Sequence, residues 1–320
     1  MRHQISLLLF LLPLLHPTLA AIKIASALNV IEYTPEKIAK EDFFNGTVSI
    51  VNGGVPTLFS DTSVDIASNA ETQALRNYAT HKNLRIIYTE AEVAYRIVGN
   101  KKSGITTAKD LKGKRIGVVS GTSAGYFVQK YMASVGVKDS EYTTVSGSVC
   151  LAEPCGSGTF PAMLKSGQVD AVGMWEPTVE LAAREIGLDN AVFFQDAKVY
   201  REIFNLHTTS DKLANATKRK EIVDFIRALE KAMALFRDQP DKVYKRAADA
   251  VSMKEDILKA VWPVHTWSGT LPEDLLSVLV REDSYVADVD RRSAMSESML
   301  KDLIDDSVLK DARAEAKNTS

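Results

Sequence analysis

Histidine and cysteine are scarce in this chain of 320 residues, with five His and two Cys. His3 and His16 fall in the first twenty residues, and His81, His207 and His265 lie in separate regions. No HExxH or GxSxG pattern occurs, and no pair of carboxylates stands out as an acid–base constellation, so the motifs of zinc proteases and serine hydrolases are missing. Two cysteines cannot complete a tetrahedral zinc site without other ligands, and no His lies near them. Charge of one sign is also lacking: the formal net charge is −2, and Lys and Arg are dispersed along the chain. Nucleic acid and anionic membrane surfaces are therefore not expected partners. Beyond the first twenty residues no apolar run approaches the length needed to cross a bilayer of about 30 Å, so no membrane span is expected in the mature chain. Internal repeats and low-complexity tracts are absent from the sequence.

The N-terminal stretch is organised differently from the rest. Met1-Arg2-His3 gives a short positive start, Leu7 to Leu15 is almost wholly apolar, and Thr18-Leu19-Ala20-Ala21 supplies small residues. This pattern reads as a cleaved secretory signal over residues 1–20, against the alternative of a buried N-terminal helix. Removing Arg2 leaves 38 basic and 41 acidic residues, a mature charge of −3. No Cys stands at the cleavage site, which argues against a bacterial lipoprotein. In a secreted chain, extracellular or periplasmic, the close pair Cys150 and Cys155 around Pro154 reads as a disulfide-pinned loop, with free thiols as the other reading. Asn45, Asn215 and Asn318 open glycosylation triplets that matter only in a eukaryotic host.

What is present is an alternation of short strands and helices. Alternating or β-branched runs at 22–25, 48–51, 64–67, 84–88 and 94–98 predict strands, with a helix near 72–78. A second series follows: a strand at 115–119, an amphipathic helix carrying Phe127, Val128, Tyr131 and Met132, a short helix at 160–166, and a strand at 169–174. A helix opening at Pro177 and a strand at 192–194 complete it. A strand at 205–209 then returns, and residues from Lys218 on are mostly helical, with Ile222, Phe225, Ile226, Leu229, Met233 and Phe236 on one face. The pattern predicts α/β architecture with largely parallel sheets.

The segment Ile116 to Tyr126 runs from a strand through Ser120-Gly121-Thr122-Ser123-Ala124 into a helix. Small residues there let a ligand approach backbone N–H groups at the positive end of the helix, while the structural alternative is a turn with a hydroxyl cap. The lysine of a phosphate-binding P-loop is missing, and no cofactor is expected. Trp175-Glu176-Pro177 follows a strand: Trp175 can cover a planar ligand and Glu176 accept from an amine, or both can be structural. Asn69, Glu71 and Asn29, each just after a strand, are further candidates.

The order of Asp110-Leu111-Lys112-Gly113-Lys114-Arg115-Ile116-Gly117-Val118, Gly121-Thr122-Ser123-Ala124, Lys165-Ser166-Gly167-Gln168-Val169-Asp170-Ala171 and Trp175-Glu176-Pro177 resembles the SsuA/THI5-like (NMT1-like) family. These are substrate-binding proteins of ABC transporters for nitrate, sulfonates, taurine and pyrimidine precursors. Asn52-Gly53-Gly54, Ser63-Val64-Asp65-Ile66-Ala67 and Ser210-Asp211-Lys212-Leu213 look like further landmarks of that family. The resemblance covers roughly residues 22 to 240. It implies a type II periplasmic-binding-protein fold: two lobes joined by two crossover strands, with a ligand cleft between them. One lobe would hold residues 22–104 plus 200–320, the other 105–199. It also implies a monomer that captures a small polar or anionic organic molecule by hinge closure, with an ABC permease as partner. A THI5-like biosynthetic enzyme and a secreted protein reusing the fold are the alternatives, although the enzyme's His- and Cys-rich signatures are absent here. Relatives often carry an aromatic or His where Gly125 stands. No Arg or Lys sits in the cleft motifs, which disfavours a divalent anion and leaves a monoanion or a planar polar heterocycle open. Secreted material is expected to begin at Ala21 or Ile22, and N-terminal sequencing that starts at Met1 would refute the signal.

Overall fold

The structure, a computed structural model, describes residues 21–317. Residues 1–20, read from the sequence as a signal, and the Asn318 triplet lie outside the described residues. Eleven strands are described: β1 (Ala21–Ser26), β2 (Thr47–Asn52), β3 (Ile66–Ala70), β4 (Leu84–Val93), β5 (Arg96–Asn100), β6 (Arg115–Gly117), β7 (Thr143–Val145), β8 (Ala171–Met174), β9 (Ala191–Phe194), β10 (Glu202–Thr209) and β11 (His265–Thr266). They form two sheets. The first has the order β11-β4-β10-β3-β1-β2, the second β7-β6-β8-β5-β9.

In the first sheet β1 pairs in parallel with β2 and β3, and β10 runs antiparallel to β3 and β4. In the second, β6 is parallel to β7 and β8, and β5 is antiparallel to β8 and β9. The chain thus leaves the first sheet at the end of β4 and enters the second through Ala94 and Tyr95. It comes back between β9 and β10 through Gln195–Arg201. Strand β5 precedes residue 104, the lobe boundary expected from the sequence, yet its hydrogen bonds place it in the second sheet. The reason is direct: β4 runs uninterrupted from Leu84 to Val93, and two residues suffice to carry the chain across.

Strand β10, in the middle of the first sheet, is buried along its whole length although it carries Glu202, Asn205, His207, Thr208 and Thr209. All four residues of β8 are buried. Its Gly173 leaves room for the helix Ser123–Ser134, since a Cβ there would meet Val128 Cγ2 at 2.4 Å. The periodic apolar residues after Lys218 lie on one helix, Ala216–Asp238, whose face from Ile222 to Phe236 is buried. Phe225 of that helix meets the Phe44 ring edge-on at 5.7 Å. Helix Leu275–Asp290 packs on helix Glu71–Tyr78 and runs beside the loop before Ser123. Among the described residues no helix is long and apolar enough to cross a membrane.

Candidate functional site

The carboxyl ends of β1, β3, β6 and β8 face a common cleft, where open α/β sheets place ligands. A cavity of about 250 Å³ lies there. After β1 the chain supplies Ala27, Asn29, Val30 and Glu32, and β3 with its following turn supplies Asn69, Ala70, Thr72 and Gln73. From the other side come Thr122, Ser123, Trp175, Val149 and Leu151. Glu202 and Phe204, at the start of β10, close the wall between them. Both sheets therefore contribute.

Of the ten ligand candidates read from sequence, the cavity brings together Asn29, Asn69, Thr122, Ser123 and Trp175. The other five are placed elsewhere or committed to protein partners. Ser120 is exposed and Ala124 is buried beneath the loop. Gly121 has φ +76°, a conformation that favours glycine, and its N–H donates to Tyr285 Oη at 3.1 Å. Its carbonyl accepts from Arg76 Nη2 at 2.9 Å. The backbone N–H that looked available for an anion is therefore taken. Gly125 has a parallel explanation, because a Cβ there would lie 2.5 Å from Tyr285 Oη. Glu176 is buried and receives Arg96 Nε at 2.7 Å, so its charge serves an internal ion pair. Glu71 is fully buried and accepts from Tyr200 Oη at 2.9 Å and from Ile203 N at 2.7 Å.

Residues that the sequence reading missed complete the walls: Glu32, Gln73, Leu151, Glu202 and Phe204 above all. Glu202 opens a strand whose eight residues are all buried. A charged residue heading such a strand was the available signal. Glu202 Oε1 accepts from Tyr95 Oη at 2.6 Å, and Tyr95 Oη lies 3.2 Å from Ser123 Oγ. Thr122 Oγ1 donates to Val119 O at 2.7 Å, which leaves its lone pairs for the cavity. Trp175 Nε1 is buried without a hydrogen-bond partner.

Cys150 and Cys155 form the expected disulfide. The loop it pins is part of the site: Val149 and Leu151 border the cavity, and Cys150 O accepts from Thr178 Oγ1 at 3.0 Å. Asn45 and Asn215 are both exposed, and the Asn215 side chain caps helix Ala216–Asp238 through Lys218 N. Among the described residues no group of three His, Cys, Asp or Glu side chains is arranged to hold a metal ion.

Behind the cavity lies an unusual amount of buried carboxyl. Burial pushes the Glu36 carboxyl up to about 7, against hydrogen bonds from Ser26 and Ser68 that oppose the shift. Burial also raises Glu90, with Glu36 and Glu32 adding to it, and raises Glu202, with Glu32 and Glu71 adding. Glu71 and Glu282 share a hydrogen bond, and burial raises both. His207, by contrast, is pushed down to about 4 by burial.

Two sheets joined by two crossovers around such a cavity define the periplasmic-binding-protein fold. Known proteins agree. The model of the NMT1/THI5-like family matches residues 49–243, and the chain belongs to that family. A Bacillus subtilis (strain 168) protein named as an aliphatic sulfonates-binding protein is 28% identical over 222 residues, 68% of this chain. The match spans 62% of that relative's length. The periplasmic aliphatic sulphonate binding protein SsuA from Escherichia coli is similar in fold, with TM-score 0.66 and 14% identity over 88% of this chain and 91% of its own. The desulfurization enzyme DszB has the fold too, with TM-score 0.63 and 13% identity over 92% and 99% of the two chains.

The buried acids fix the sign of the pH response. A glutamate whose folded value is raised contributes stability that is complete below its unfolded value of about 4.3 and lost as pH rises through the folded value. His207 acts oppositely, but only as pH falls from about 6.5 towards its folded value. The melting temperature is therefore expected to be higher at pH 6.5 than at pH 8, and Glu36→Gln should flatten that difference. A melting temperature that stays level or rises from pH 6.5 to pH 8 would refute the assignment. The disulfide yields a second expectation. Closing so short a loop stabilises by about 2 kcal/mol in the chain-entropy treatment. Replacing both cysteines by Ser should cost about that much in denaturant unfolding, and unchanged stability would contradict it.

Proposed function

We propose that this chain is a secreted solute-binding protein that takes a small polar organic molecule into the cavity and closes over it without chemical change. The observation that carries this reading is the cavity itself, walled by residues from both sheets at the ends of their strands. The family and the printed function of the Bacillus relative support it. Closure would move residues 96–194 against the remainder, with Ala94–Tyr95 and Gln195–Arg201 as the bending passages. Contacts between the two parts suit a closed form: Arg76 and Tyr285 hold Gly121, and Tyr95 reaches Ser123. Action as a monomer outside the cytoplasm and delivery to an ABC permease extend the same reading. The DszB likeness keeps an enzyme in view, but the residues bordering this cavity include neither Cys nor His, so no nucleophile–base pair of that kind lines it.

The test is a thermal-shift screen of sulfonates, nitrate, carboxylates, pyrimidines and amines. A true ligand at about a hundred times its Kd adds about 2.7 kcal/mol of stability. Trp175→Ala should abolish that gain, and X-ray scattering should show compaction on saturation. A ligand that stabilises the chain with no compaction would remove the closing mechanism, and one indifferent to Trp175→Ala would remove the site.

A further inference from the structure

Two carboxylates border the cavity, and the lining holds no Arg or Lys to answer them. Glu32 is 3% exposed and Glu202 is 6% exposed. Glu32 Oε1 faces His265 Nε2 at 3.4 Å. His265 Nδ1 lies 2.9 Å from Val261 O, a carbonyl that can only accept, so the ring carries its proton on Nδ1 there. Glu202 has no cationic neighbour, since the partner of its Oε1 is the neutral phenol of Tyr95. A buried carboxylate without a countercharge is strongly unfavourable unless it holds a proton or meets a cation.

The other walls offer an acceptor, apolar surface and one donor, the unpartnered Trp175 Nε1. The Thr122 hydroxyl hydrogen is spent on Val119 O, so from a ligand this hydroxyl can only accept. Phe204, Leu151 and the Trp175 indole offer apolar surface for a compact body. We propose that the solute is a small organic monocation whose ammonium or amidinium group sits at Glu202, beside Glu32, with its apolar part against Trp175 and Phe204. This rests on the cavity being the solute site, and it departs from the sulfonate for which the Bacillus and Escherichia relatives are named. In the free protein, burial holds a proton on Glu202. An arriving ammonium or amidinium takes its place as the partner of the carboxylate, and the displaced proton leaves to the solvent.

The test uses three probes of one shape, namely benzamidinium, benzamide and benzenesulfonate, together with phenethylammonium. Binding to the mature full-length chain is followed by calorimetry and thermal shift. The two cations are expected to bind and to raise the melting temperature, with benzamide at least tenfold weaker and benzenesulfonate without effect. Glu202→Gln keeps the shape and the hydrogen bond from Tyr95, and should weaken the cations at least tenfold while leaving benzamide unchanged. Its melting curve without ligand shows whether it folds, and Glu32→Gln supplies a second variant if it does not. Benzenesulfonate binding that is lost in Trp175→Ala would overturn the cation assignment and leave the solute-binding reading standing. Cation binding indifferent to both Gln variants would overturn it as well. If none of the four probes, and none of the wider screen, shifts the melting temperature, both readings fail together.

Discussion

The hydrogen bond from Tyr95 to Glu202 sits where the molecule's two halves meet. Tyr95 ends the first passage between the sheets, and Glu202 begins β10 just after the second. A single 2.6 Å contact therefore ties the two passages to each other, and the same phenol reaches Ser123 at the start of the helix on the second sheet. The surrounding rings of Phe127 and Tyr200 pack edge-on or tilted around Tyr95, which keeps water from the bond and strengthens it. The cavity lies directly against this cluster, and Glu202 belongs to both.

That placement explains why so many carboxyls are buried in one region. Glu71 and Glu282 form a second acidic pair next to Tyr200, and Glu71 also accepts from Ile203 N in the strand that Glu202 opens. Glu36 and Glu90 form a third cluster beneath β1 and β3, with Ser26 and Ser68 as donors. Each pair can hold a proton between its oxygens, and neutral carboxyls cost far less to bury than carboxylates. Protonation is thus the way this interior stays compact without cations. Arg96 shows the contrasting solution: it meets Glu176 and Glu180, and Glu180 carries the network on to Arg184 and Asp256.

The fold was legible because its signals are local. Apolar runs such as Ile22 to Ala25 and Val48 to Val51 became strands, and the stripe from Ile222 to Phe236 became one helix. The lobe boundary was less legible, because Arg96-Ile97-Val98 looks the same in either sheet and only its hydrogen-bond partners decide. The site was half legible. Turns after strands gave Asn29, Asn69, Thr122, Ser123 and Trp175. Glu71 and Glu176 sit at equivalent turns and were indistinguishable by sequence, yet their carboxylates point into protein partners, Tyr200 and Ile203 for one, Arg96 for the other. Glu32 and Glu202 escaped notice because what makes them cavity residues is the approach of segments about 170 residues apart. No window of sequence contains that fact.

Gly125 carries the argument one step further. The space a side chain would need at Gly125 is filled by Tyr285 from helix Leu275–Asp290. The Tyr285 hydroxyl accepts from the Gly121 N–H, two residues ahead of helix Ser123–Ser134, and so satisfies the loop from within. Under the cation proposal it is Glu202, on the wall facing Thr122 and Ser123, that favours hydrogen-bond donors and cations in the cleft.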